Sequence, residues 1–128
     1  MQTYKVTVDN DKTIRWYNDK NEYHRLDGPA IEGYDGFKQW HENGKLHRLD
    51  GPAVEYTDGH KAWYVDGKLH RLDGPAIEWA DGSKEWWVNG KLMTEKEFNE
   101  YIKPKPSCEG KVVEVDGVKY RLVKAWLL

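Results

Sequence analysis

His24, His47 and His70 recur at intervals of 23 residues, each followed at once by an arginine (Arg25, Arg48, Arg71) and then, two residues on, by an aspartate (Asp27, Asp50, Asp73). These residue types have chemistry to offer. An imidazole can hold a metal or carry a proton, and an Arg–Asp set can clamp a phosphate or a carboxylate. The spacing decides against a shared metal. If each copy adds two strands to a sheet, equivalent residues stand ~10 Å apart, too far for two imidazoles to reach one ion. A catalytic site is also rarely written three times. Each histidine is therefore expected to pack on a tryptophan and bond a neighbouring turn. Each arginine is expected to pair with the glutamate of the following "PAIE" or "PAVE".

A second pattern is Lys38, Lys61 and Lys84 alternating with Trp40, Trp63 and Trp86. Basic residues interleaved with aromatics can bind a single nucleic-acid strand by stacking and charge. They serve equally as lysines snorkelling beside core tryptophans. There is no G-x-S-x-G, H-E-x-x-H, P-loop or G-x-G-x-x-G. The expectation is a protein that is not an enzyme and has no cofactor or metal.

Bulk composition narrows the classes further. In 128 residues, 20 Lys+Arg and 22 Asp+Glu nearly cancel, whereas a duplex-DNA binder usually shows a basic surplus. Seven Trp and eight Tyr against two Phe suit thin sheets and interfaces, because both rings pair an apolar face with a polar edge. Cys108 is the sole cysteine, so no intrachain disulfide forms, as in a reducing cytosol. With no apolar run long enough to cross a membrane or to serve as a leader, the expected location is cytoplasmic.

The elements that must position these residues come from the repeat. "HRLDGPA" stands at 24–30, 47–53 and 70–76. Asp35-Gly36, Asn43-Gly44, Asp58-Gly59, Asp66-Gly67, Asp81-Gly82 and Asn89-Gly90 are all signals for two-residue hairpin turns. A unit that stacks by translation needs an even number of strands. Each unit therefore reads as a short strand, such as Lys61 to Val65, and a long one, such as Lys68 to Ala80, kinked at "LDGP". Gly51 and Gly74 are expected at backbone angles that alanine avoids.

With two-residue turns throughout, one row runs Val54, Trp63, His70, with counterparts Ile31, Trp40, His47 and Ile77, Trp86, Met93. The opposite face carries Glu55, Ala62, Arg71. Trp40, Trp63 and Trp86 are then core residues. The positions that differ between copies, namely His41, Tyr64 and Trp87 with Phe37 and His60, are the expected partner-binding surface, on the face left open.

The 23-residue period, the aromatic strand before "NGK", the "HRLDGPA" heptad and the closing "ADG" or "TDG" resemble the MORN repeat class. The likeness is closer to its divergent relatives with an "HRxDGPA" signature, which include small proteins of bacteriophages and some large viruses. It covers about residues 11–93, and it implies a mainly β fold: an antiparallel meander of hairpin repeats in one curved sheet. Repeats fall at about 11–34, 35–57, 58–80 and, in part, 81–93. "TEKE" is a capping box opening a helix over 94–103, and residues 108–128 read as a terminal hairpin around Asp116-Gly117. Helix and hairpin can cap the array or form a homodimer.

The function expected on these grounds is binding: an aromatic-rich repeat face that inhibits or sequesters a host protein of a defence system. The alternatives are a binder of a nucleotide signal or single-stranded nucleic acid, and a structural scaffold.

Overall fold

Two kinds of turn alternate along the array in the computed structural model, which describes residues 4–104 and the strand backbone at 112–115 and 118–121. At Asn43-Gly44, Asp66-Gly67 and Asn89-Gly90 both residues have positive φ (50° and 82°, 51° and 78°, 50° and 79°), as a two-residue type I′ turn requires. At Gly36, Gly59 and Gly82 only the glycine does (96°, 97° and 90°). Here the loop has one residue more. Tyr56 N–H donates to His60 C=O, and Gly59 N–H to Tyr56 C=O. The aspartate side chain accepts the N–H two residues on, at 3.1 Å for Asp35–Phe37 and 2.9 Å for both Asp58–His60 and Asp81–Ser83. That local bond favours a type I turn closed by a left-handed glycine.

The strands are short because each repeat divides its pairing between two sheets. Following β1 (Lys5–Val8), β2 (Ile14–Tyr17) and β3 (Ile31–Glu32), the second repeat supplies β4 (Lys38–Gln39), β5 (His41–Glu42), β6 (Lys45–Leu46) and β7 (Val54–Glu55). The third supplies β8 (Lys61–Ala62), β9 (Tyr64–Val65), β10 (Lys68–Leu69) and β11 (Ile77–Glu78), before β12 (Lys84–Val88) and β13 (Lys91–Met93). The main sheet is an open antiparallel meander of nine strands, ordered β1-β2-β3-β4-β7-β8-β11-β12-β13. The pairs β5–β6 and β9–β10 form separate ribbons. The fold is thus mainly β, with two main-sheet strands per repeat, as the parity of the repeat requires.

The heptad is a loop thrown out of one hairpin. Trp63 C=O accepts from His70 N–H at 3.0 Å, and Trp63 N–H donates to Ala76 C=O at 2.7 Å. Trp16 and Trp40 make the same two bonds in the earlier copies. Arg71 to Pro75 leave the ladder between these two anchors. The long strand expected over Lys68–Ala80 is therefore two short pieces joined by an excursion, which does not reverse the chain.

The extra turn residue shifts the register. Around the Asp-Gly turns Val54 faces Ala62 and Glu55 faces Lys61, not Trp63 and Ala62 as expected. A slip of one residue exchanges the faces of a strand. Around the Asn-Gly type of turn the expected register holds, with Val65 facing Lys68, Tyr64 facing Leu69 and Trp86 facing Met93. Val54, Ala62 and Ile77 consequently form the core cluster, and Phe37, Leu46, Tyr64, Leu69 and Trp87 pack against it. Trp40, Trp63 and Trp86 are half-buried and are not core residues. Tyr64 and Trp87, expected on the open face, cover the apolar one.

The described residues divide into two units, 1–98 and 99–128. The helix α1 (Glu95–Ile102) opens with the expected capping box: Thr94 N–H donates to Glu97 Oε1, and Glu97 N–H donates to Thr94 Oγ1, both at 3.1 Å. Phe98 is buried. In the second unit β14 (Val112–Val115) and β15 (Val118–Arg121) pair antiparallel, with Val115 facing Val118. The expected turn at Asp116-Gly117, and the hairpin side chains on which its capping or dimer role depends, lie outside the described residues, apart from the exposed Val118. Among the described residues no helix is long and apolar enough to cross a membrane.

Candidate functional site

Taken in turn, the side chains of the heptad's His, Arg and Asp find polar partners among the described residues, and the leucine side chain stands outward. His24, His47 and His70 accept at Nδ1 the backbone N–H of Asn43, Asp66 and Asn89, at 2.9, 3.0 and 3.0 Å. In the neutral ring this puts the proton on Nε2. Each histidine thus ties its copy to the turn of the next, as expected.

The arginines lie over indoles. The Arg25, Arg48 and Arg71 guanidinium carbons are 3.9, 3.8 and 3.7 Å from the ring centres of Trp16, Trp40 and Trp63. Nε of Arg71 donates to Asp73 at 2.8 Å, and its Nη1 to the Pro75 carbonyl at 3.0 Å and to Glu78 at 3.3 Å. The other two arginines repeat this set. The expected arginine–glutamate pairs are present. The guanidinium also holds the Asp27 and Asp73 carboxyls below the usual aspartate range, chiefly by hydrogen bonding.

The glycine makes room for this packing. A Cβ at Gly51 or Gly74 would stand 2.9 Å from the arginine Cζ, and neither residue has positive φ. The expectation of unusual backbone angles at Gly51 and Gly74 is thus corrected: space is the requirement. Ala30, Ala53 and Ala76 are fully buried.

Only the leucine remains. Leu26, Leu49 and Leu72 are 55%, 79% and 50% exposed. Between the loops run two like grooves of about 500 Å³ each. Leu26 and Leu49 border the first, floored by Trp40. Leu49 and Leu72 border the second, floored by Trp63. Reasoning from the variable positions missed these leucines, because identity between copies was read as purely structural. The signal was present: a large apolar residue kept in a polar loop three times.

The expected partner-binding residues do not form one surface. His41 is buried, at 8% exposure, beside Tyr23, with ring centres 5.3 Å apart. Burial lowers the His41 pKa and raises that of Tyr64. Phe37 and His60 belong to a strip of stacked rings: Phe37–Tyr56 at 4.9 Å, Tyr56–His60 at 5.0 Å and His60–Trp79 at 4.5 Å. The last two pairs meet face to face, inclined by only 10° and 17°, while Phe37 is tilted by 35° to Tyr56.

Lys38, Lys61 and Lys84 sit in a row that reads Glu32, Lys38, Glu55, Lys61, Glu78, Lys84 across neighbouring strands. The lysines are therefore interleaved with carboxylates, as cross-strand pairing favours. Among the described residues no group of three or more His, Cys, Asp or Glu side chains could hold a metal ion. No protein-family model matches this chain, and no curated protein or solved structure shows significant similarity to it.

Proposed function

We propose that this chain is a non-enzymatic binding protein whose repeat array offers ridged grooves to a partner protein. The observation that carries the reading is the outward position of Leu26, Leu49 and Leu72 in a heptad whose other side chains are engaged internally or serve packing. Apolar residues held at least half exposed at one place in each copy line up along the array, and contiguous exposed apolar surface marks interaction sites.

Two features favour a protein over a nucleic acid. Among the described residues, Tyr56, His60 and Trp79 stack on one another, and Trp40 and Trp63 each have a guanidinium over the ring, which leaves these five rings less open to bases. The lysines that could follow a phosphate chain alternate with glutamates, which oppose the charge that such binding needs. The likeness of "HRLDGPA" to the signature of phage and viral proteins makes a host protein, inhibited or sequestered in the cytoplasm, the partner to seek first.

The test is quantitative affinity purification of the tagged chain from bacterial cells, beside a Leu26→Ser/Leu49→Ser/Leu72→Ser variant of unchanged circular dichroism. A stoichiometric protein retained by the wild type and lost from the variant is expected. A partner retained equally by both, or a nucleotide carried by both with no protein, would overturn the reading.

A further inference from the structure

Resting on that reading, we propose that the two grooves together receive one cationic amphipathic helix of the partner, lying across the leucine ridges with apolar residues seven apart.

Spacing is the first argument. Leu26, Leu49 and Leu72 belong to consecutive copies that each add two strands to the main sheet, so the ridges recur at ~10 Å. An α-helix rises ~10.5 Å over seven residues. A helix laid along the array therefore offers an apolar cluster to each groove in step, one near Trp40 and the next near Trp63. An extended segment with side chains three residues apart would match the distance too. Strand addition, however, needs the open hydrogen-bonding edge of a sheet. These grooves are walled by the side chains of Arg25 and Arg48, and of Arg48 and Arg71, with the leucines and aspartates of the same loops.

Charge is the second argument. The side chains of Asp27, Asp50 and Asp73 are 73%, 87% and 84% exposed, and those of their arginine partners only 18%, 22% and 19%. The positive groups are drawn down onto the tryptophans while the carboxylates stand at the rim. Glu42 adds another carboxylate to the first groove. A ligand approaching the leucines thus meets negative charge first. Lys or Arg flanking an apolar stripe complements it, and Asp or Glu would be repelled.

The test uses three synthetic peptides of 21 residues without tryptophan. One carries leucines at heptad positions flanked by Lys and Arg, the second the same leucines flanked by Glu, and the third is the basic peptide with a central proline. Binding to the full chain is followed by calorimetry and tryptophan emission, because Trp40 and Trp63 floor the grooves. The basic peptide is expected to bind at least tenfold tighter than either control, to weaken severalfold between 50 and 300 mM salt, and to lose at least tenfold on Leu49→Asp. Equal or tighter binding of the acidic or proline-broken peptide, or indifference to Leu49→Asp, would overturn the helix. So would a homodimer of the chain that Leu49→Asp dissociates, since the ridges would then be covered by a second copy. If none of the peptides binds while the leucine-dependent protein of the purification remains, the helix proposal fails and the binding-protein reading stands.

Discussion

The Arg71 guanidinium carbon lies 3.7 Å from the centre of the Trp63 ring, and the two earlier copies repeat the contact. A cation over an indole face contributes ~0.5–2 kcal/mol, and this one needs the bare backbone of Gly74 beside it. Gly74→Ala should therefore lower stability by about 1 kcal/mol by lifting Arg71 from the ring. It should have almost no effect in an Arg71→Ala background. A double-mutant cycle from urea unfolding measures the coupling. Equal losses in both backgrounds would show that the backbone itself, and not the guanidinium, demands glycine.

The histidine bonds tie one copy to the next, so their loss should be felt locally. His70→Ala removes the acceptor of the Asn89 N–H and should weaken the link to the fourth copy by about 1 kcal/mol. In a stacked array each unit depends on its neighbours. Amide exchange at Asn89 and Gly90 should accelerate while Asn43 and Gly44, two copies away, stay protected. Uniform acceleration along the array would mean that the bond acts on global unfolding alone.

The repeat, the strand parity, the capping box, the histidine bonds to the next turn and the arginine–glutamate pairs were legible because each depends on neighbours in sequence or at a fixed period. The faces of the sheet were not. Asp58-Gly59 and Asp66-Gly67 look alike as dipeptides, yet Asp58 accepts the His60 N–H and closes a longer loop, whereas Asp66 adopts positive φ in a two-residue turn. That single residue decides whether Ala62 or Trp63 stands opposite Val54, and the error carries to every side chain beyond it. Leu49 escaped for another reason: constancy between copies distinguishes a kept residue from a free one, but not a residue kept for folding from one kept for contact.

The corrected faces reverse an expectation about mutants. Tyr64 packs on the Val54–Ala62–Ile77 cluster, while Leu49 is 79% exposed. Tyr64→Ser should thus cost about 2 kcal/mol through lost packing. Leu49→Ser should stay within ~0.5 kcal/mol of the wild type, as surface changes do. Thermal melts of the two variants decide the matter. A larger loss for Leu49→Ser would place that leucine in the folded core's support and remove it from the docking ridge.

His41 gives the array a pH dependence with a definite sign. Its ring is buried, its Nδ1 has no hydrogen-bond partner among the described residues, and burial lowers its pKa. In the unfolded chain a histidine titrates near ~6.5, so the unfolded state takes up the proton first as the pH falls. The contribution of neutral His41 is then complete above about pH 6.5 and is lost as the pH drops from there through the lower folded value. The equivalent position one copy on is Tyr64, which offers a substitution the scaffold already accepts. His41→Tyr should lose less melting temperature between pH 7 and pH 5 than the wild type. Parallel pH profiles for the two proteins would mean that His41 binds its proton equally well folded and unfolded, and that the acid sensitivity lies elsewhere.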